Sequence, residues 1–431
     1  MEMKNVKGSY DYGINEERVR SYIRNTLTKV FVKYGYQGIQ TPIINYYDLM
    51  ALKYSDGAEI LNEVYKLTDQ GGRKLALRYD LTVPFAKYIA INKDLVLPFK
   101  RFEMGNVFRD GPVKVGRNRE FIQCDVDVVG IDNRLIEAEL MSLYIEGYKA
   151  LDIDVNLKYN NRKIMQGMIE DCGITFDKVS DVITVIDKFD KLTDKEIKLE
   201  FTDIGLESDV INRLLEVFKL DFDDIKKKYS NSKNINLIEG INEIEELNKY
   251  IDELGLGDVS TFSSVLARGQ SYYTGVVFEV YEKNGIISSA IGGGGRYDNL
   301  ITDFINDGNR YPAVGVSFGL DVIYEIIKDR EEFKNKSLID LFIIPLDTEI
   351  ESLKIANKLR GMGYNIEIDS SKRKIGKAIN FADKANIENV LVLGSDEVDN
   401  KEFNIKNIVT KELIKVKYDD EYNFKIVEQK R

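Results

Sequence analysis

Polar side chains recur at every second position in two stretches of this sequence, a spacing that gathers them on one face of an extended strand. In Leu77-Arg78-Tyr79-Asp80-Leu81-Thr82-Val83 that face carries Arg78, Asp80 and Thr82, a convergence at which an ammonium group could sit. In the run from Phe121 to Gly130, Gln123, Asp125 and Asp127 share one face while Ile122, Cys124, Val126 and Val128 take the other. Two carboxylates and an amide then line one strip. Either face, taken alone, is equally compatible with a solvated sheet surface.

Cations cluster nearby in the chain. From Phe99 to Glu120 the sequence reads as a strand, a Gly/Pro-containing basic loop and a return strand, with Arg109, Lys114, Arg117 and Arg119 near the tip. Guanidinium forks bind phosphate through two parallel hydrogen bonds, so this hairpin could cradle a triphosphate, although a basic surface hairpin has the same composition. Two later blocks carry unusual residues: Leu266-Ala267-Arg268-Gly269-Gln270-Ser271-Tyr272-Tyr273-Thr274-Gly275 and Ile291-Gly292-Gly293-Gly294-Gly295-Arg296-Tyr297-Asp298. Four consecutive glycines weaken a strand and make sense where a ligand or another backbone must approach closely. No Gly-Lys-Ser/Thr follows, so this is not a Walker phosphate loop, and a flexible hairpin turn is the alternative.

One count limits the chemistry more than any motif: the 431 residues include no histidine. Histidine triads, histidine-ligated metals and imidazole general bases are thereby excluded. Catalysis must rest on carboxylates, arginines, lysines, tyrosines, backbone dipoles or the substrate's own groups. With only Cys124 and Cys172, neither a disulfide framework nor a four-cysteine zinc site can form within the chain.

The elements that must position these residues follow from periodicity. Val19, Tyr22, Ile23, Leu27, Val30 and Phe31 recur at helical spacing and predict a helix over 15–34. Period-two patterns dominate from about Lys74 to Gly130 and from Leu266 to Ile291, predicting strands of one largely antiparallel sheet. Between them, roughly Arg162 to Gly257, charged text of helical period predicts an inserted helical module. A charged linker, Arg330 to Lys336, marks a domain boundary. Beyond it, strands at 338–345, 365–368 and 389–393 alternate with helices at 349–362 and 374–385, which predicts a small α/β domain with a mostly parallel sheet.

Hydrophobic residues at 43% and charged residues at 31% place the chain among globular proteins. No apolar run approaches the roughly 18 residues of a membrane span and no signal peptide is recognisable, so a cytoplasmic location without membrane attachment is expected. The net charge of −11 means that any nucleic acid must be met by local basic patches.

Taken in order, these blocks resemble histidyl-tRNA synthetase, a class II aminoacyl-tRNA synthetase family, over nearly the whole chain. Gly38-Ile39-Gln40-Thr41-Pro42 is similar to class II motif 1, the Phe102 to Phe121 hairpin to motif 2, and Pro312 to Leu320 to motif 3, while the blocks at Arg268 and Gly292 look like the signatures that distinguish the histidine enzyme. The resemblance implies an α+β fold: an antiparallel-sheet catalytic domain (1–161 and 258–329), a helical insertion (162–257) and a C-terminal α/β anticodon-binding domain (337–431). It implies activation of L-histidine with ATP and Mg2+ to histidyl-adenylate, transfer to tRNA(His), and a homodimer.

Residue by residue, Asp80, Thr82 and Gln123 match positions holding the α-amino group, and Asp127, Tyr272 and Tyr273 match positions reading the imidazole. Arg109 and Arg268 match the two arginines flanking the α-phosphate. Arg117, Arg119, Gly293, Gly295 and Arg296 are placed on ATP or the adenylate, and Lys114, Arg373, Lys374 and Lys377 on tRNA; the ligands of magnesium are unassigned. The chain departs from the family pattern at Gln270-Ser271, where Leu-Asp is common, at Val322, where an arginine normally stacks on adenine, and at Asp110-Gly111, where the motif 2 acid is displaced. The competing expectation is a regulatory subunit of ATP phosphoribosyltransferase, which senses histidine; that relative usually lacks the anticodon-binding domain and the catalytic arginines.

Overall fold

The computed structural model describes residues 3–51, 59–189, 192–268, 272–334 and 337–430. The chain divides into two compact units, Met1–Lys328 and Asp329–Arg431.

The first unit is built on an eight-stranded sheet. In spatial order its strands are Gln37–Gly38, Phe99–Phe108, Glu120–Val129, Ala313–Gly319, Gly292–Arg296, Val276–Glu282, Val155–Asn161 and Ser260–Phe262. The two edge pairs are parallel and the five pairings between them antiparallel, as the period-two pattern predicts. One face is sealed by helices Ile14–Lys33 and Arg134–Ala150. The first buries Val19, Ile23, Leu27, Val30 and Phe31, the last packed against Phe102 and Phe318. The second starts at Asn133, whose side chain accepts from the Ile136 N–H and caps the helix. On the other face, Val129 and Val277 lie in a core with Phe85, Ile89, Leu300 and Ile301, from helices Thr82–Ile91 and Asp298–Ile305.

Two expectations for this unit are corrected. The segment 77–83 is not one strand: the strand Lys74–Leu77 stops and a helix begins at Thr82. Asp80 Oδ1 accepts from the Val83 N–H, and Pro84 sits in the helix's first turn, where its missing N–H breaks no hydrogen bond. Arg78, Asp80 and Thr82 therefore do not share a strand face. The four glycines form a strand inside the sheet, which rules out the alternative of a hairpin turn, and among the described residues the strand expected from Leu266 starts at Val276.

Between the strands Val155–Asn161 and Ser260–Phe262 the described residues form six helices in succession, from Arg162–Asp171 to Ile235–Glu253. No helix among the described residues is long and apolar enough to cross a membrane.

The second unit has a six-stranded sheet in the order Ile366–Ile368, Leu341–Pro345, Asn389–Leu393, Glu402–Asn407, Leu413–Tyr418, Phe424–Lys430. Its first two pairings are parallel and the remaining three antiparallel, which overturns a mostly parallel sheet. Helices Glu349–Gly361 and Ile375–Lys384 supply the crossovers, burying Ile355 and Ala356 on one side, Ala378 and Ala382 on the other.

Candidate active site

Register across the large sheet builds the site. Directly opposed residues of neighbouring antiparallel strands face the same way. One row runs Glu103, Asp125, Ser317, Gly293, Glu279, and the next runs Arg101, Asp127, Gly315, Gly295, Val277. Glu103, Asp125 and Asp127 thus stand at one side, and Glu279 at the other, of a floor from which three glycines have removed the side chains. A methyl group at Gly293 would lie 2.5 Å from Arg268 Nη1 and 2.9 Å from the Phe278 carbonyl oxygen, and one at Gly315 would collide with the Asp127 carboxylate.

Above this floor is a cleft lined by Asp80, Thr82, Arg109, Gln123, Asp125, Asp127, Arg268, Tyr272 and Tyr273, with Gly293, Gly295, Tyr297 and Ser317. All six residues expected to bind histidine line it, as do both expected catalytic arginines. Arg109 donates from Nε to the Tyr79 carbonyl at 3.3 Å, and its guanidinium stacks 4.2 Å from the Tyr79 ring and 5.1 Å from that of Phe121. Arg268, at φ 54°, donates from Nη1 to Glu279 Oε1 at 2.6 Å. Burial opposes its charge, but Tyr273 and Glu279 hold its proton more firmly than in free arginine. The Tyr272 and Tyr273 rings lie 4.6 Å apart.

Beneath the acidic side runs a buried charge network. Arg101 Nη2 meets Asp127 Oδ2 at 2.7 Å, and Arg101 Nη1 meets Glu103 Oε2 at 3.5 Å. Glu103 Oε1 also accepts from Arg78 Nη1 at 2.8 Å and from Thr41 Oγ1 at 2.9 Å. Tyr297 donates to Asp127 Oδ1 at 2.6 Å. Burial raises the Asp127 carboxyl, with Arg101 pulling it back down; Asp125 is pushed up to about 7 by burial first and by the neighbouring Asp127 charge second.

Among the described residues lining this cleft, four polar atoms are buried without a hydrogen-bond partner: Gln123 Oε1, Asp125 Oδ1, Arg268 Nε and Asp127 Oδ2, the last of which is held in the ion pair with Arg101. Native interiors rarely leave such groups unpaired, so the site is shaped for a ligand that supplies donors on one side and an acceptor on the other.

Other expected contacts are not brought to the cleft. Arg296 alternates onto the opposite sheet face from Gly293 and Gly295, where it is buried against Glu137 at 2.7 Å and Asp298 at 3.1 Å. Arg117 is half exposed, 3.7 Å from Glu63, and Arg119 pairs with Asp110 at 3.1 Å; both belong to the hairpin tip outside the cleft. Lys114 lines a separate groove with Tyr10, Tyr12 and Tyr324. Val322 packs against the hairpin turn, since a methyl at Gly116 would lie 3.3 Å from its Cγ2. Gln270 and Ser271 fall outside the described residues. In the second unit Arg373 pairs with Asp369 at 3.2 Å and stacks on Phe381, while Lys374 and Lys377 are exposed at the start of helix Ile375–Lys384.

Sequence reasoning gave no role to Arg101, Glu103, Tyr297, Ser317 or Glu279. The alternation in Phe99–Phe108 could have put Arg101 and Glu103 on one face, but not their burial, because charged side chains are so seldom fully buried.

The family described as Histidyl-tRNA synthetase matches residues 8–323, and that described as Anticodon binding domain matches residues 340–425. Histidine–tRNA ligase 1 of Bacillus cereus is 44% identical over 421 residues, 96% of this chain and 95% of the relative. The crystal structure of histidyl-tRNA synthetase from Nostoc sp. PCC 7120 superimposes with a TM-score of 0.83 at 27% identity, covering 97% of both chains. A structure from Bacillus halodurans C described as an ATP phosphoribosyltransferase regulatory subunit/histidyl-tRNA synthetase shares the fold, with a TM-score of 0.77 at 21% identity, covering 91% of this chain and 98% of that one.

Proposed function

The chain belongs to the histidyl-tRNA synthetase family and is a histidine–tRNA ligase; from that premise we propose how its residues divide the reaction. The α-ammonium of L-histidine is held by Asp80, Thr82 and Gln123. Its imidazole lies against Asp127, Tyr272 and Tyr273, with Arg101 fixing the Asp127 carboxylate. A pocket that hydrogen-bonds both ring nitrogens leaves buried groups unpaired when another amino acid enters, and sites of this kind discriminate by about 10⁴ to 10⁵.

Arg109 and Arg268 flank the α-phosphate of ATP. The histidine carboxylate attacks the phosphorus in line, pyrophosphate departs, and charge gathers on the non-bridging oxygens, where two cations fixed in advance stabilise it most. In the second step a hydroxyl of the tRNA's terminal adenosine attacks the adenylate carbonyl carbon and AMP leaves. One observation carries this reading: the two arginines, from segments about 160 positions apart, line the same cleft as the acids. Neither step needs a protein imidazole.

Magnesium is expected to accompany the triphosphate. Among the described residues no group of three or more Asp, Glu or Cys side chains could hold a metal. The protein ligands of the ion are therefore left unassigned, and no step here passes through it.

Arg373, Lys374 and Lys377 meet phosphates of the anticodon stem-loop, and Lys114 a further tRNA phosphate. A homodimer is supported by the exposed apolar side chains Ile43, Ile44 and Tyr46, in and next to the short strand Ile44–Tyr46. The buried, unpaired Cys124 and Cys172 accord with a reducing cytoplasm.

Charging of tRNA(His) with labelled amino acids tests the assignment. Acylation with L-histidine and release of AMP are expected; binding of histidine with no AMP formed would favour the histidine-sensing reading instead.

A further inference from the structure

We infer that Asp125 is a further recognition residue for the substrate, accepting a hydrogen bond from the α-ammonium of histidine together with Gln123. The inference rests on the histidine–tRNA ligase reading and extends its binding site by one residue.

Asp125 lies between Gln123 and Asp127 on one strand face, so its side chain sits between the group assigned to the ammonium and the group assigned to the ring. It is 4% exposed and lines the cleft. The two neighbouring carboxylates are engaged differently. Asp127 Oδ1 accepts from the Tyr297 hydroxyl, and its Oδ2, which makes no hydrogen bond, is neutralised by the ion pair with Arg101 at 2.7 Å. Asp125 is served by Ser317, but its Oδ1 has no partner.

The second orphan on this face, Gln123 Oε1, is also an acceptor, because the amide nitrogen of Gln123 already donates to Ser317 Oγ at 3.2 Å. Two adjacent buried acceptors call for a ligand group with several donors. A neutral imidazole has one N–H; an ammonium has three and carries the charge that an acidic site lacks. Asp80 and Asp127 both push the Asp125 carboxyl upward, so an arriving cation relieves a repulsion that the protein's own Arg101 only partly offsets. The unpartnered donor, Arg268 Nε, suits the acidic end of the same molecule.

The isosteric Asp125→Asn variant tests this in histidine-dependent exchange of pyrophosphate into ATP, with imidazolepropionate, which is histidine without its amino group, as competitive inhibitor. The KM for histidine is expected to rise at least tenfold with kcat within about threefold, while the inhibition constant of imidazolepropionate stays the same or falls. An unchanged KM, or a parallel weakening of the deaminated analogue, would overturn the inference, the latter because it would assign Asp125 to the ring or to the fold. If the asparagine variant does not fold, Asp125→Ser reads the same ratio. Failure of the ligase reading itself is distinguishable, since the unaltered protein would then give no exchange at all.

Discussion

Glu279 holds Arg268 above the bare backbone of Gly293. The carboxylate accepts from Nη1 at 2.6 Å, and its other oxygen accepts from the Tyr281 hydroxyl at 2.5 Å, so a cation, its counter-charge and the absence of a side chain form one device. The Gly293→Ala substitution should push the guanidinium off its position because the new methyl has backbone on its other side. We expect kcat for adenylate formation to fall by about tenfold or more, less than the roughly 10²-fold or greater loss typical when a donor to the developing charge is removed outright. Wild-type kcat in this variant would show that Arg268 does not act from where Glu279 places it.

Arg101 and Asp127 oppose each other across two strands, both nearly inaccessible to solvent. Removing one member of a buried pair strands the other, a loss typically of about 3–5 kcal/mol. Arg101→Met should therefore lower the urea midpoint of the first unit markedly and weaken histidine binding with it. A midpoint within experimental error of wild type would mean that Asp127 is neutralised some other way.

Asp125 links stability to pH. Its carboxyl is raised to about 7 in the folded chain, chiefly by burial and Asp127, against an ordinary carboxylate value of 3.8. Between these values the folded state binds a proton that the unfolded state does not, so this group's contribution to stability falls as pH rises from about 4 towards 7 and stays low above it. Asp125→Asn, which cannot ionise, should melt several degrees above wild type at pH 8 without histidine and show a smaller gain at pH 5. Equal gains at both values would place the effect outside Asp125 ionisation. Groups facing it, Asp80, Asp127 and Arg101, are unaltered in the comparison.

Arg296 separates structure from chemistry. Buried against Glu137 and Asp298 on the far side of the glycine strand, it should reduce thermal stability when changed to methionine while leaving the KM for ATP of the folded enzyme within about twofold. A large KM change without loss of stability would return it to the ATP site.

Because the chain has no histidine, its synthesis draws on none of its own product. Output of this protein during histidine starvation should exceed that of a variant carrying several surface histidines; equal output would remove any advantage of the composition.

The acidic strip was readable in the sequence because Glu120–Val129 alternates cleanly, and a strand with one buried face must keep that register. The glycine run was harder: its low strand propensity is overridden by the need for space under Arg268 and Asp127, which only the cross-strand register reveals. Arg78 was misplaced because local alternation cannot show that the chain leaves the strand at Leu77 to send its guanidinium to Glu103. The last three strands of the second unit did carry a signal, as in Leu413-Ile414-Lys415-Val416-Lys417-Tyr418, but a βαβ pattern before them suggested a parallel sheet. The sequence shows the charges of Arg117 and Arg119 but not that Glu63 and Asp110 take them up at the hairpin tip.

The pairing of Arg109 with Arg268 around one phosphorus atom is open to a direct test. Exchange of labelled pyrophosphate into ATP should require L-histidine and drop by at least about 10²-fold in Arg109→Ala and in Arg268→Ala, each variant being assayed below its own melting transition, which in Arg268→Ala lies lower because Glu279 loses its partner. Exchange that continues unabated in either variant would contradict it, as would an intact protein that binds histidine yet exchanges nothing.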